Sequence, residues 1–486
     1  MAKYNFLCAE GSKLNQIICA VLINLPMLAY GSAIGWMSPM TLLLQSDQSP
    51  RGTPLTDQEI SWMASAAYFT SIPANFLFAY LADRFGRKIS MLICSSQFVC
   101  CWLVMLSSME TWALVLARAL VGTGMAGCYV ITPLYVKEIS ENCIRGALAS
   151  LMILNQTLGT LLLYVLGDVL SYRTCLLACL AVPAAHLLLF VMMPESPAFL
   201  VRNGDIKEGT KVMAWLRCRS ESDPSVQLEI NTIRKELEQE SGSKKFALRG
   251  ILADKILFRA FRIAMVLTLA REICGAVPVL NYAGDIFRMT SEGGSGLQIT
   301  PNQQAMVLGV FQVAGSAVAS SFVEKTGRKV LLISTSTVFG VSMLGLSSWF
   351  LLRTLGIDAP SWLPIGSLWL CIFCNGCGLQ PVSIVIVSEL FSFQYRSTVS
   401  AITSSTGCFA DFIQMLLFKP LASLVGIHTL FYGFAGICFA HSLYVTFVVP
   451  ETKLRNLEEI YHRLKTRAEI EEDEKVLKIK ELGAVV

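Results

Sequence analysis

Charged residues are scarce in this sequence. Asp, Glu, Lys and Arg make up 15% of the 486 residues, whereas a soluble domain carries about 25%. The charges stand in short segments between apolar stretches of about 20 residues, and each stretch is long enough to cross a bilayer core of about 30 Å as a helix. The low content of charged residues and their position between the apolar stretches exclude an ordinary soluble domain and predict an all-α membrane protein.

Signals of catalysis and of bound cofactors are also missing. The chain has only 4 histidines, and they stand too far apart in the sequence to suggest a metal site. The segment 122–127 reads Gly-x-Gly-x-x-Gly, but it lies in an apolar stretch without the strand that a dinucleotide site requires. We therefore predict no catalytic residue, no metal and no cofactor, and we predict that the protein is not an enzyme.

Two further features limit the partners. Most of the 16 cysteines lie inside apolar stretches, where cysteine acts as a small hydrophobe and not as part of a disulfide framework. The net charge is only +4, and no basic surface element interleaved with aromatic residues is present, so no nucleic-acid partner is expected. These features leave the lipid bilayer and a small-molecule solute as the predicted partners.

The apolar stretches divide the chain into two groups of six around a long polar insert. The predicted spans, to within a few residues, are 17–37, 61–82, 89–108, 111–135, 147–169, 173–193, 261–284, 303–323, 329–352, 363–389, 398–424 and 429–449. The predicted domains are an N-terminal six-helix bundle (1–193), a cytosolic linker with short helices (194–260), a C-terminal six-helix bundle (261–449) and a cytosolic tail (450–486). In the linker, Asp223 and Pro224 predict the start of an amphipathic helix.

Lysine and arginine are unevenly shared between the two sets of loops. The richer set includes Arg84, Arg87, Lys88, Lys325 and Arg328. The positive-inside rule places such loops in the cytosol. We therefore predict a multi-pass protein of the cell membrane with both termini cytosolic.

Three short motifs occur in both halves of the chain, in the same order. The pairs are Asp83–Lys88 with Glu324–Lys329, Glu138 and Arg145 with Glu389 and Arg396, and Pro194–Pro197 with Pro450–Lys453. Two similar six-helix halves are a transporter architecture, in which the solute site lies near the bilayer midplane between the halves. The repeats therefore predict two pseudo-symmetric bundles.

These motifs resemble the signatures of the sugar-porter family of the major facilitator superfamily over nearly the whole chain. The run from Gly31 to Pro39 is similar to the insect branch of that family, which includes facilitated trehalose transporters. The resemblance implies the major facilitator fold and alternating access, in which the two bundles rock about a central site. Sugar transport across the plasma membrane is the corresponding expectation.

The charges of the repeated motifs suit a cytosolic gate between the bundles. Its predicted members are Asp83, Arg87, Glu138, Arg145, Glu324, Arg328, Glu389 and Arg396. A single exposed ion pair is worth only about 0–1 kcal/mol, but a network of pairs can bias an equilibrium between two states. The alternative is that these charges only fix the topology.

Polar residues inside the spans predict the solute site, since a charge facing lipid costs about 2.5–3.5 kcal/mol. The predicted substrate-binding residues are Asn155, Gln156, Arg271, Glu272, Asn281, Tyr282 and Asp411. On an uninterrupted helix Tyr282 would share a face with Arg271. Arg271 and Glu272 would point apart, so we expect one of them to pair with Asp411 or with another helix.

The site also departs from the pattern of sugar porters, which usually have Gln-Gln-x-x-Gly-x-Asn in the seventh span. The aligned residues here are Arg271, Glu272, Gly275 and Val277. The solute thus stays open between a hexose or trehalose and another polyol or polar metabolite, and reduced or lost transport is a third possibility. Ser32 stands where proton-coupled members carry aspartate, which favours facilitated diffusion. Proton-coupled symport and a non-transporting solute sensor are the alternatives.

Overall fold

A computed structural model describes residues 11–47, 49–241, 247–291, 300–360, 362–453, 455, 457–465 and 469. In the first half, span 1 comprises α1 (Leu14–Ile23), α2 (Leu25–Gly35) and α3 (Met37–Gln45), and spans 2 to 6 are α4 (Asp57–Phe85), α5 (Arg87–Ser107), α6 (Thr111–Ile139), α7 (Asn142–Val169) and α8 (Tyr172–Phe190). The connecting segment contains α9 (Pro197–Arg202), α10 (Ile206–Arg217), α11 (Pro224–Ser241) and α12 (Ala247–Ala253).

The second half repeats this order. Span 7 comprises α13 (Lys255–Glu272), α14 (Ala276–Asn281) and α15 (Ala283–Ser291), span 8 is α16 (Pro301–Thr326), and span 9 is α17 (Arg328–Thr354). Span 10 comprises α18 (Trp362–Cys374), a π-helical turn (Asn375–Leu379) and α19 (Gln380–Glu389). Spans 11 and 12 are α20 (Phe393–Val425) and α21 (Ile427–Phe447), and α22 (Leu457–Leu464) follows them.

Twelve helical runs have the dimensions of membrane spans. Among the described residues, 10 runs are both long and apolar enough to cross a bilayer. The other two, α4 and α16, have 29 and 26 residues, and about 20 residues suffice for a bilayer core. The predicted all-α class and the number of spans are confirmed.

The packing inside each half follows one plan. In the first half α2 packs on α7, α4 on α6, and α5 on α8. The equivalent pairs in the second half are α13 with α20, α16 with α18, and α17 with α21. The two bundles meet along α4 with α20 and along α7 with α16, and each of these contacts is the pseudo-symmetric counterpart of the other.

Spans 1 and 7 are interrupted where the sequence carries glycine or proline. Span 7 ends its first helix at Glu272 and restarts at Ala276, and Gly275 between them has φ +94°. A side chain is strained at this φ, and a β-carbon at Gly275 would also overlap the ring of Phe434. Only glycine fits this break, which directs the end of α13 and the start of α14 toward the bundle interface.

Two faces of the molecule are distinguished by the chain ends. We call the face where span 1 begins and span 12 ends, at Leu14 and Phe447, the terminal face, and the other the far face. Helices α9 to α12 follow span 6 at the terminal face. Arg217 at the end of α10 fixes them there, because its guanidinium donates to the carbonyl of Ile139 at 2.8 Å and pairs with Glu229 at 2.8 Å.

The linker helix predicted from Asp223 and Pro224 is present as α11. Its first residue is Pro224, and the carboxylate of Asp223 accepts from the backbone N–H of Ser225 at 2.8 Å. Val226 and Ile230 pack into a small core with α9 and α10. The exact boundaries of the four predicted domains stay a prediction.

Candidate transport site and gates

Arg271 and Glu272 end helix α13 at the break in span 7. Their side chains contact each other, guanidinium to carboxylate, and each is 15% exposed. The expectation that neighbouring residues would point apart is wrong here. The helix stops at Glu272, so both long side chains are free to turn toward one another beyond the last turn. The pair forms a nearly neutral surface with hydrogen-bonding groups. This surface lies next to Gly407 of span 11, where a β-carbon would be 3.2 Å from a carboxylate oxygen of Glu272.

Asp411 of span 11 lies opposite this pair and is 5% exposed. It is an electrostatic neighbour of Arg271, Tyr30 and Tyr68. No ion pair joins it to Arg271 in the described chain. Arg271 pairs with its neighbour Glu272 instead, so the expected pairing of one of them with Asp411 or with another helix is not found in this part of the chain. Its Oδ1 is buried and has no hydrogen-bond partner among the described residues. A buried carboxylate oxygen without a donor is costly, and it is available to a donor brought by a solute.

The N-terminal bundle contributes neutral polar groups. The hydroxyl of Tyr129 donates to Oε1 of Gln156 at 2.8 Å, and the Tyr129 ring stands edge-on to Tyr30, with centroids 6.0 Å apart. Gln156 is 7% exposed. It is held close to span 1, since a β-carbon at Gly31 would overlap its carbonyl oxygen. Asn155 turns back to its own helix, where its amide donates to the carbonyl of Leu151 at 2.8 Å.

Sequence reasoning did not predict the tyrosines of this site, and it did not include Arg118 among the substrate-binding residues. Tyr30, Tyr68 and Tyr129 lie in apolar stretches, where one aromatic residue looks like another core residue. Arg118 is 2% exposed and donates to the carbonyl of Ala33 at 2.6 Å. A single arginine inside an apolar span was the available signal, because such a charge needs a partner or a wet cavity.

Asn281 and Tyr282 lie on the far-face side of the break. Asn281 donates to the hydroxyl of Tyr68 at 3.3 Å and so connects span 7 to span 2. Tyr282 is 1% exposed and stacks on Phe418 at 5.3 Å between centroids. The expected shared face with Arg271 is absent, because it required an unbroken helix across Gly275. The structure places Tyr282 in the closure of the site toward the far face.

Further contacts complete this closure between the bundles. The hydroxyl of Tyr164 donates to the carbonyl of Leu280 at 2.9 Å, and the N–H of Gly284 donates to Oγ of Ser38 at 2.9 Å. These bonds tie span 7 to spans 5 and 1. The described residues therefore show a site closed toward the far face.

A lysine at the end of span 11 adds an ionic latch that sequence reasoning did not find. Nζ of Lys419 lies 2.8 Å from Asp57 of span 2 and 3.3 Å from Asp285 of span 7. It also lies over the ring of Tyr282, 5.4 Å from the centroid. Asp57 belongs to the N-terminal bundle, and the other three residues belong to the C-terminal bundle. We call Lys419, Asp57 and Asp285 the far-face latch.

On the terminal face, four of the predicted gate residues form two ion pairs at equivalent positions. Arg87 and Glu138 are 2.8 Å apart, with side chains 8% and 14% exposed, and Arg328 and Glu389 are 3.2 Å apart. Oε2 of Glu389 also accepts from the hydroxyl of Thr452 at 2.5 Å. Each pair lies within one bundle. These four residues stabilise the internal geometry of each bundle, and their predicted part in gating stays a prediction.

The other predicted gate residues lie apart from these pairs or outside the description. Asp83 pairs with Arg202 of α9 at 3.0 Å and not with an arginine of its own motif. Arg145 donates to the carbonyl of Ser140 at 3.0 Å. The side chains of Glu324 and Arg396 fall outside the described residues.

A partly buried carboxylate caps the start of a helix in each bundle. Oε1 of Glu195 accepts from the N–H of Arg87 at 3.0 Å, and Oε1 of Glu451 accepts from the N–H of Arg328 at 3.1 Å. A β-carbon at the preceding glycines, Gly86 and Gly327, would meet these carboxylates. The negative charge meets the positive end of the helix dipole. This explains the repeated Pro-Glu motifs, whose role the sequence did not reveal.

The two caps titrate differently. Burial raises the pKa of the Glu195 carboxyl above its ordinary value of 4.5, although backbone N–H groups oppose the shift. Burial also acts to raise the pKa of Glu451, but there the backbone N–H donors outweigh it and the pKa is lowered. Glu195 and Glu451 thus occupy equivalent positions, but the ionised form is disfavoured at Glu195 and favoured at Glu451.

Two pseudo-symmetric bundles with a polar centre at their interface and a closed far face define a membrane transporter of the major facilitator type. The family described as sugar (and other) transporter matches residues 18–464. The chain belongs to that family, and it is a transporter and not an enzyme.

Named relatives are similar over most of their length. The facilitated trehalose transporter Tret1 of Bombyx mori is 24% identical over 451 residues, which is 92% of this chain and 86% of that protein. Facilitated glucose transporter member 8 of solute carrier family 2 from Mus musculus is 27% identical, over 89% of this chain and 91% of that protein.

Solved structures share the fold. The inward-open conformation of the xylose transporter XylE from E. coli has a TM-score of 0.73 and 19% identity, and it covers 93% of this chain and 100% of that chain. At this identity the likeness is evidence of the fold alone.

Proposed function

We propose that the protein carries a neutral sugar, a hexose or trehalose, across the cell membrane by facilitated diffusion. The observation that carries this is the composition of the central site. One bundle presents hydroxyl and amide groups, from Tyr129 and Gln156, and the other presents the Arg271–Glu272 pair and Asp411. Sugar hydroxyls both donate and accept, so they match a site that offers both kinds of partner.

The charges of the site favour a neutral solute. Arg271 is already neutralised by Glu272, so it offers no unpaired cation to an organic anion. The carboxylate of Asp411 with its unpartnered oxygen is an acceptor for two hydroxyls on neighbouring carbons. The relatives named above as trehalose and glucose transporters support the same substrate class.

In this proposal both termini are cytosolic, and the far face is the outer face. The positive loops of the terminal face support that orientation. The latch and the Tyr164–Leu280 bond then close the outer entrance, so the protein is described in a state closed to the outside. Asn155, Gln156, Arg271, Glu272 and Asp411 are the proposed substrate contacts, while Asn281 and Tyr282 act at the outer closure.

One observation favours a second candidate, a proton-coupled symporter of a polyol or other polar metabolite. Asp411 is buried without an ion pair in the described chain, and such a carboxyl can bind a proton.

Uptake of labelled glucose, trehalose and a polyol by oocytes, at two external pH values, distinguishes the candidates. Saturable sugar uptake whose rate is unaffected by external pH and by protonophores supports facilitated diffusion. Uptake abolished by a protonophore would replace it with symport, and no uptake above uninjected cells would point to a non-transporting sensor.

A further inference from the structure

A cavity of about 870 Å³ lies at the far face, away from the central site. Its walls come from the end of span 1, the end of span 5, the start of span 6 and the start of span 8; lining residues include Met40, Leu43, Leu170, Tyr172, Arg173 and Asn302. Asn302 belongs to the C-terminal bundle and the others to the N-terminal bundle. The cavity is thus mostly apolar, lies where the spans leave the bilayer, and touches both bundles.

Arg173 is the charged residue of this lining, and it lacks a counter-ion in the described chain. The other three arginines near this face are all engaged. Arg51 pairs with Glu110 at 3.2 Å, Arg288 lies 3.8 Å from Asp285, and Arg353 donates to the carbonyl of Met289 at 2.6 Å. An unpaired guanidinium beside an apolar cavity is a binding group for a planar or tetrahedral anion.

The surroundings of Arg173 favour an anion that carries an apolar tail. Within the part of the chain that the structure describes, no acidic residue lines the cavity. Arg173 stands in the first turn of α8, where the helix dipole adds to the attraction for a negative group. Next to it, Leu43, Leu170 and Met40 offer apolar surface that extends along span 1.

We propose that this cavity binds a phospholipid from the leaflet at the far face. The phosphate pairs with Arg173, and one acyl chain lies along Met40, Leu43 and Leu170. Because Asn302 comes from the other bundle, an occupant contacts both bundles while the far face is closed. This site is independent of the sugar site, and its test does not depend on transport.

Native mass spectrometry of the purified full chain, titrated with phosphatidylcholine, measures this binding. We expect Arg173→Gln to weaken retention by about tenfold, the usual effect of losing one charge-assisted contact. Arg353→Gln is the matched control, since it removes one positive charge from the same face outside the cavity, and it should retain lipid as the wild type does. Leu170→Trp, which reduces the space along the apolar wall of the cavity, should also weaken retention.

Two further probes separate the phosphate from the tail. Diacylglycerol has the same chains without the phosphate, and inorganic phosphate has the anion without chains; both should bind at least tenfold more weakly than phosphatidylcholine to the wild-type protein. The proposal is overturned if diacylglycerol binds as well as phosphatidylcholine, if inorganic phosphate alone displaces it, or if Arg173→Gln and Arg353→Gln lose lipid equally. Unchanged melting temperatures of the variants in lipid-free detergent show that they are folded.

Discussion

Removing the carboxylate of Asp57 should loosen the far-face latch without unfolding the protein. Asp57 is the one member of the latch in the N-terminal bundle, and its side chain is 72% exposed. An ion pair with such an exposed partner is worth about 0–1 kcal/mol. Asp57→Asn should therefore shift the ratio of outward-closed to outward-open molecules by at most about fivefold, the factor that 1 kcal/mol represents.

Asp285 gives the contrasting case. It is 6% exposed and lies in the same bundle as Lys419, so their ion pair survives when the bundles separate at the far face. Asp285→Asn should lower the free energy of unfolding by about 1–3 kcal/mol, since it leaves the Lys419 side chain, which is only 12% exposed, with less compensation for its charge. It should change the conformational ratio less than Asp57→Asn does.

Hydrogen exchange measured by mass spectrometry is the assay. Peptides from α3 and α15 should exchange faster in Asp57→Asn, because these helices face each other across the closed far side. Glu208→Gln is the matched control, since Glu208 also pairs at an exposed site, with Lys211 at 3.3 Å, but within α10 of the linker and away from the far face. Slower exchange in Asp57→Asn than in wild type, an acceleration well above fivefold, or a larger effect from Asp285→Asn would refute the reasoning.

The remaining predictions concern the caps and the central site. Glu451→Gln should lower the unfolding free energy at neutral pH by about 1–3 kcal/mol, and Glu195→Gln by less; thermal unfolding in detergent checks this, and equal losses would contradict it. The lowered pKa of Glu451 means that its stabilisation is present above 4.5 and is lost on acidification. The pKa of Glu195 is raised, so pH has the opposite effect there: ionisation of this carboxyl lowers the free energy of unfolding as the pH rises above 4.5. Asp411→Asn should raise the KM for sugar uptake by about tenfold or more, and Tyr129→Phe by about two- to tenfold, as expected for a charged and a neutral hydrogen bond; unchanged uptake in both would place the sugar elsewhere.

Much of the fold could be predicted because its signals are local. Twelve spans follow from apolar stretches of membrane length, and the two-bundle arrangement follows from motifs that occur in both halves, such as Asp83–Lys88. The linker helix follows from Asp223 and Pro224. In each case a short segment carries its own information about structure.

The site could be predicted in part only, because its geometry depends on contacts between distant segments. A glycine at position 275 is compatible with either a continuous or an interrupted helix, and the left-handed turn that separates Tyr282 from Arg271 is a feature of the packed structure. The Arg271–Glu272 contact arises because α13 ends there. Lys419 belongs to none of the repeated motifs, and its latch partners are 362 and 134 residues away in the chain (419 − 57 and 419 − 285).

Counterflow in proteoliposomes tests the central claim most directly. Vesicles that contain the protein are loaded with unlabelled glucose or trehalose and then diluted into a trace of labelled sugar. Alternating access about a single site predicts a transient accumulation of label above the equilibrium level, and Asp411→Asn should reduce it strongly. Sugar entry without this overshoot, or no difference from protein-free vesicles, would contradict the account.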